Sequence, residues 1–247
     1  MIETVIALTL GHLLADFVFQ TRWMVENKRR IGALSVHVAI VAAATWACLG
    51  LAPVPLVIGL IAGSHALLDA LKARLGGPGV TSFLVDQAAH AVMIGLAATL
   101  QPEAFTAGLW ANPALAPIAP ALPVGMALAA GLIASVFAGG YAVKELMTSV
   151  EIEEAEQRLD MPKGGLFIGR LERLLIYMIT LAGHVDAIGF LIAAKSVLRF
   201  NELSREKDRK VSEYVIIGTL ASFAWGLAAS QATVAALDLL RAPPPAP

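Results

Sequence analysis

The sequence has few charged residues and almost no cysteine. Only 15% of its 247 residues are Asp, Glu, Lys or Arg, whereas a soluble domain has about a quarter. Hydrophobic residues make up 57%, and the mean hydropathy is +0.73. This balance excludes an ordinary soluble domain and predicts a polytopic membrane protein. The net charge of -1 and the lack of a basic tract give no reason to expect nucleic acid as a partner. The single cysteine, Cys48, excludes an internal disulfide and a thiolate metal site.

Apolar segments of membrane-spanning length recur along the chain. Lys and Arg cluster in the loops after the first and third segments, which predicts that these loops are cytoplasmic and that the N-terminus lies outside. We interpret the first segment as a retained helix, because it lacks a basic start and a small-residue cleavage site. The predicted spans are Ile2–Gln20, Ala33–Leu51, Leu56–Leu71, Ser82–Leu100, Leu122–Val143 and Tyr214–Ala236.

The region between Lys144 and Tyr214 allows two arrangements. Residues Leu166–Ala194 are apolar, but basic residues stand on both sides and GHVDAIG interrupts the middle. We favour a hairpin of two short helices that turns near His184–Gly189 over a single crossing that breaks the charge rule. EIEEAEQRLDMPKGG predicts a short surface helix, and NELSREKDRK predicts a solvated amphipathic helix on the membrane.

The predicted fold class is an all-α, polytopic helical bundle with six or seven spans and a re-entrant hairpin. It forms one membrane domain over residues 1–247. Within it, residues 1–100 form a four-helix core, 101–120 an external loop without Lys or Arg, 121–236 the C-terminal helices, and 237–247 a disordered tail ending in PPPAP.

Histidine and aspartate recur together inside the apolar segments. Three pairs stand at a spacing of four: His12 with Asp16, His65 with Asp69, and Asp86 with His90. Residues four apart share a helix face, and ionisable residues in a spanning helix are costly and usually face the bundle interior. Counted from the predicted cytoplasmic ends, the aspartates lie about 7–8 Å deep at the helical rise, and the histidines lie one turn deeper. His37 enters near the shallower of these depths.

Imidazole and carboxylate ligands together suit zinc, manganese or iron. We therefore expect a divalent metal ion, with zinc as the first choice, and both a one-ion and a two-ion site stay open. The alternative is that the pairs only form interhelical hydrogen bonds, worth about 1 kcal/mol each. Such bonds would explain a single His/Asp pair well, but they explain three pairs at the same depth less well. The candidate ligands are His12, Asp16, His37, His65, Asp69, Asp86 and His90.

A metal at this depth predicts a hydrolase that acts on a lipid-like ester or phosphoester at the cytoplasmic leaflet. The candidate catalytic residues are Asp16, Asp86 and Gln87. The candidate substrate-binding residues are Gln20, Arg22, Arg170, Arg173 and Lys195. The alternative function is a proton- or cation-coupled transporter that uses the same cluster, and a third is a membrane protein that holds the metal only for stability. The apolar outer halves LVIGLIAG and MIGLAATL favour a one-sided site. Membrane lipid and the metal are the expected partners, and a homo-oligomer stays open.

The motifs GHLLADFVFQTRWMVENKR, HALLDALKARL and FLVDQAAHAV closely resemble those of a bacterial membrane family known as a domain of unknown function. GRLERLLI, AIGFLIAAKSVLRF and EYVIIGTLASF resemble the longer members of that family. The resemblance thus covers most of the chain except Gln101–Pro120. It implies a multi-pass protein of the bacterial inner membrane and carries no established activity.

Overall fold

The computed structural model describes residues 1–148, 162–203 and 209–242. These residues form helices and turns, with no strand among them. A π-helical turn continues α1 over Ala15–Phe19, and another continues α6 over Ala134–Ala138. The helices are α1 (Ile2–Leu14), α2 (Arg22–Glu26), α3 (Ile31–Cys48), α4 (Pro55–Leu75), α5 (Val80–Leu100), α6 (Ala121–Ile133), α7 (Gly139–Thr148), α8 (Pro162–Leu181), α9 (Ala187–Leu203) and α10 (Arg209–Arg241).

Six helical stretches of the described chain are long and apolar enough to cross a bilayer. They are Ile2–Phe19, Ile31–Cys48, Pro55–Leu75, Val80–Leu100, Ala121–Thr148 and Glu213–Arg241. Each overlaps one of the predicted spans, so the prediction of an all-α, multi-pass membrane protein is confirmed.

The C-terminal end of the last helix requires a correction to the predicted tail. The helix continues to Arg241 instead of stopping at Ala236, because Leu237 is buried and the apolar pattern runs on to Leu240. Residues 237–241 are therefore helical, and residues 243–247 lie outside the described part of the chain.

The two helices α8 and α9 form the predicted hairpin. They are separated by a turn at residues 182–186, in which Gly183 has a φ of +79°. Their antiparallel course is shown by Lys195, whose Nζ lies 2.6 Å from a carboxylate oxygen of Glu172. Ile176 and Ile188 are buried in one apolar cluster. The predicted surface helix before the hairpin covers residues 151–165, of which 151–161 lie outside the described chain. Pro162 and the glycines after it, which were expected to end that helix, instead form the first turn of α8, since proline is tolerated at the start of a helix. Residues 204–208 of the predicted amphipathic helix also lie outside the described chain.

The chain forms two compact units. The first contains Met1–Gly77, Thr81–Ile133 and Thr233–Pro247, and the second contains Pro78–Val80 and Ala134–Ala232. In the first unit α1 packs against both α3 and α6, and α3 packs against α4. The predicted four-helix core is thus joined by α6. A single domain over the whole chain stays a prediction.

Helices α1 and α3 approach closely at Gly11. A Cβ at this position would lie 2.9 Å from the Cα of Thr45, so a larger residue would collide with the backbone of α3. Small residues allow close helix packing in membrane proteins. Since Gly11 precedes His12 directly, this contact holds the start of the His/Asp motif against α3.

The loop after α5 covers the end of the first unit that is opposite the basic loops. The indole Nε1 of Trp110 donates a hydrogen bond to the carbonyl of Cys48 at 2.9 Å. The hydroxyl of Thr4 donates to the carbonyl of Pro102 at 2.8 Å and accepts from the backbone N–H of Phe105 at 3.2 Å. On the same four helices, the residues between this loop and the histidines include the buried apolar side chains Leu8, Val41, Ala44, Val57, Ile61, Ile94 and Ala97.

Candidate metal centre

All seven candidate ligands lie in the first unit, and each is buried, with 9% exposure at most. Four helices supply them: His12 and Asp16 from α1 and its π-helical turn, His37 from α3, His65 and Asp69 from α4, and Asp86 and His90 from α5. Within this set, three groups of three residues place their ligand atoms within 4.8 Å of one another. Four helices thus converge on one cluster of imidazoles and carboxylates.

Asp16 lies in the π-helical turn Ala15–Phe19, an irregularity that is frequent at functional sites. The helix ends directly after this turn, because Gln20 has an extended backbone with a ψ of 111°. The side chain of Gln20 turns towards α3, where its Nε2 lies 3.1 Å from the Nε2 of His37. The end of the first span therefore brings both a carboxylate and an amide to His37.

Asp16, His37 and His65 form one of these three groups. The Nε2 atoms of His37 and His65 are 3.0 Å apart. The Oδ1 atom of Asp16 lies 3.3 Å from the first nitrogen and 3.2 Å from the second. Ligand atoms around a tetrahedral zinc ion with bonds of about 2.0–2.1 Å are about 3.3 Å apart. The three side chains thus have the spacing of three ligands to one ion.

Asp69 approaches the same group from α4. Its Oδ2 atom lies 3.4 Å from the Nε2 of His37 and 3.8 Å from the Nε2 of His65. Both Asp69 and His37 are only 1% exposed, which leaves no room for bulk water between them. Asp69 is therefore a candidate for a further ligand.

Hydrogen bonds between these side chains do not satisfy them. Two nitrogens 3.0 Å apart share one proton at most, since two facing N–H groups would repel each other. The Oδ1 of Asp16 and the Oδ2 of Asp69 are buried and accept no hydrogen bond from any residue that the structure describes. A buried carboxylate oxygen without a donor is costly. A divalent cation between the nitrogens and the carboxylates would satisfy all four atoms.

A second set of contacts links α1 to α5. The Nε2 of His12 donates to the Oε1 of Gln87 at 3.2 Å, and the Nε2 of Gln87 donates to the Oδ2 of Asp86 at 3.1 Å. The Nε2 of His90 lies 3.6 Å from the Oδ1 of Asp86 and has no hydrogen-bond partner among the described residues. The ring of His90 stacks on that of His65, with centroids 4.2 Å apart. Gln87 thus orients His12, while His90 keeps a free ligand atom.

Two lysines complete the site, and neither is among the site residues predicted from the sequence. Lys28 donates to the Oδ1 of Asp69 at 2.9 Å, and Lys72 donates to the Oδ2 of Asp86 at 2.8 Å. Their side chains are 19% and 34% exposed, so the cluster opens on their side. Lys72 stands seven residues after His65, on the same helix face. This spacing alone could have indicated that Lys72 faces the cluster. Lys28 lies in a turn, where no periodicity points to it.

Two of the predicted substrate-binding residues lie in the first unit. Gln20 contacts His37, as described above. Arg22 is exposed and pairs with Glu26, its Nε lying 2.6 Å from the Oε1. That hydrogen bond raises the pKa of Arg22. Arg22 therefore stays charged at any physiological pH.

The other three predicted substrate-binding residues lie in the second unit and have partners there. Arg173 is buried and donates to the Oγ of Ser222 at 2.8 Å and to the carbonyl of Val136 at 3.0 Å. Arg170 lies over the ring of Phe137 at 5.5 Å, and Lys195 pairs with Glu172. These contacts are enough to explain the three side chains within their own unit, and a role in substrate binding stays a prediction.

Residues 4–113 match a family model described as a protein of unknown function, DUF3307. The match contains all seven candidate ligands, Gln87 and both lysines. The match includes part of the loop Gln101–Pro120, which the motif resemblance does not cover. It ends before the C-terminal helices, which the motif resemblance does cover. No curated protein and no solved structure matches the chain.

Proposed function

We propose that the protein is a metal-dependent hydrolase of the bacterial inner membrane that acts on a lipid-like ester or phosphoester from the cytoplasmic side. The proposal rests on the buried group Asp16, His37 and His65, whose ligand atoms are 3.0–3.3 Å apart. Two imidazoles and one carboxylate also form the ligand set of a known class of catalytic zinc sites, which keep one position open for water. Zinc is the first choice, and manganese and iron accept the same ligands.

Such an ion lowers the pKa of a bound water towards neutrality and so supplies a nucleophile. Asp86 is the proposed general base, because its partner Lys72 is the more exposed of the two lysines and marks the open side of the cluster. Gln87 holds the Oδ2 of Asp86 and the ring of His12 in fixed positions. Lys28 and Lys72 place two positive charges where a negatively charged headgroup would enter.

The packing of the first unit favours a one-sided site over a transport path. A transporter needs polar access from both sides of its binding site. In the described part of this unit, the buried acidic and basic side chains end at the histidine layer. Beyond that layer come buried apolar residues such as Val57 and Ile94, and then the loop held by Trp110.

Hydrolysis by the purified chain in lipid vesicles tests the proposal. The vesicles contain phosphatidic acid and phosphatidylglycerol, and the release of phosphate, headgroup or fatty acid is measured with zinc or manganese present. We expect product release that stops with EDTA and with Asp16→Asn. The exposed Asp238 provides the matched control, since Asp238→Asn changes the same chemistry far along the chain in α10 and should keep activity. Movement of zinc or protons across the vesicle wall without any product would overturn the proposal in favour of a transporter.

A further inference from the structure

The ion proposed above does not use a second group of possible ligand atoms. Asp69, Asp86 and His90 each offer one ligand atom within 4.8 Å of the other two. All three side chains are at least nine-tenths buried. The Nε2 of His90 has no hydrogen-bond partner in the described chain, although it lies among carboxylates. This buried imidazole nitrogen is therefore available to bind a metal ion.

We propose that Asp69, Asp86 and His90 bind a second divalent cation next to the first. The inference deepens the proposed function and rests on it, and in the two-ion site Asp86 is a ligand of the second ion instead of the general base. Asp69 also lies close to the first group, since its Oδ2 is 3.4 Å from the Nε2 of His37. The stacking of His65 on His90 at 4.2 Å brings the two groups side by side. Phosphoester hydrolases use such pairs of ions, about 3.5–4 Å apart, to hold the attacking and the leaving oxygen.

The charges around the two groups indicate which substrate fits. Asp16, Asp69 and Asp86 carry three negative charges, and Lys28 and Lys72 carry two positive ones. One divalent ion changes the formal charge from minus one to plus one, and a second ion raises it to plus three. Three excess positive charges in an apolar surrounding are costly. The second ion therefore binds together with an anion, and a phosphate group supplies the required charge.

The experiment is a manganese titration of the full chain, stripped with EDTA in detergent. Bound Mn²⁺ is counted by equilibrium dialysis, and electron paramagnetic resonance reports whether two ions are coupled. We expect two ions in the wild type with an exchange-coupled spectrum, and one uncoupled ion in His90→Ala. Inorganic phosphate should tighten the second ion by about tenfold, a usual size for coupled binding. The exposed His184 gives the matched control His184→Ala, which should behave like the wild type.

The outcomes separate this inference from the proposed function. One ion in the wild type at saturation, lost in Asp16→Asn and kept in His90→Ala, overturns the second site and leaves the first intact. No ion in a folded wild type overturns both. If two ions bind and phosphate does not change the affinity of the second, the claim that the second ion binds together with an anion is overturned. Gel filtration and circular dichroism check folding, and Asp86→Asn replaces His90→Ala if that variant does not fold.

Discussion

His37 and His65 face each other through their Nε2 atoms at a distance of 3.0 Å, in the buried contact between α3 and α4. The carboxylates of Asp16 and Asp69 lie within 4 Å of both nitrogens. One shared proton does not satisfy these atoms, whereas a divalent cation would. The functional hypothesis for the whole chain depends on this relationship.

Replacing Gly11 by alanine should destabilise the protein. The new Cβ would lie 2.9 Å from the Cα of Thr45, and backbone atoms yield less readily than the end of a side chain. We expect a loss of about 1–3 kcal/mol, the usual cost of overpacking, seen as a lower midpoint of thermal unfolding in detergent. Gly63 lies in α4 with no atom within 4 Å of its added Cβ, so Gly63→Ala should not lower the midpoint. Equal midpoints for both variants would show that α1 and α3 are not in this close contact.

Replacing Gln87 by leucine should reduce catalysis without removing the metal. Gln87 contacts His12 and Asp86 but is not itself a ligand of the proposed first ion. Loss of a residue that orients ligands typically costs about 10–100-fold in activity or metal affinity. We expect kcat to fall by about this factor while elemental analysis finds the metal unchanged. Gln231→Leu, at an exposed position of α10, is the control. An unchanged kcat in Gln87→Leu would show that Gln87 has no role in catalysis.

Replacing Lys28 by methionine should make the protein more dependent on metal. Lys28 donates to the Oδ1 of Asp69, which is only 1% exposed. Without the ammonium group a buried carboxylate loses its partner, so the metal-free protein should unfold at a lower temperature. The bound cation then compensates for more charge, and the rise in midpoint on adding zinc should exceed that of the wild type. Lys144→Met, at an exposed position, should show neither effect. A smaller response to zinc in Lys28→Met would contradict the arrangement.

The predicted orientation places the loop between α4 and α5 in the cytoplasm and the loop after α5 outside. Single cysteines at exposed positions test it, introduced as Gly77→Cys and Ala116→Cys in a Cys48→Ala background. A membrane-impermeant maleimide should label Ala116→Cys in cells with a permeabilised outer membrane, and label Gly77→Cys only after the inner membrane is broken. The reverse pattern would place the site at the opposite face of the membrane.

The helices and the His/Asp pairs could be predicted from the sequence because both are local patterns. Apolar runs of membrane-spanning length show where the spans lie, and the spacing of His65 and Asp69 shows which face they share. The contact between His37 and His65 could not be predicted, since it depends on how α3 packs against α4. The π-helical turn at Asp16 could not be predicted either, because its amino-acid composition does not differ from that of an α-helix. Lys28 reaches Asp69 from a turn whose path is set by tertiary packing.

The metal content of the purified full chain tests the site most directly. Elemental mass spectrometry should find at least one zinc, manganese or iron ion per chain in the wild type and in His184→Ala. His37→Ala should be folded and contain almost none, because it removes the nitrogen that lies within 3.4 Å of His65, Asp16 and Asp69. A folded wild type that contains no metal, and binds none when zinc, manganese or iron is added, would contradict the metal centre and the hydrolase built on it.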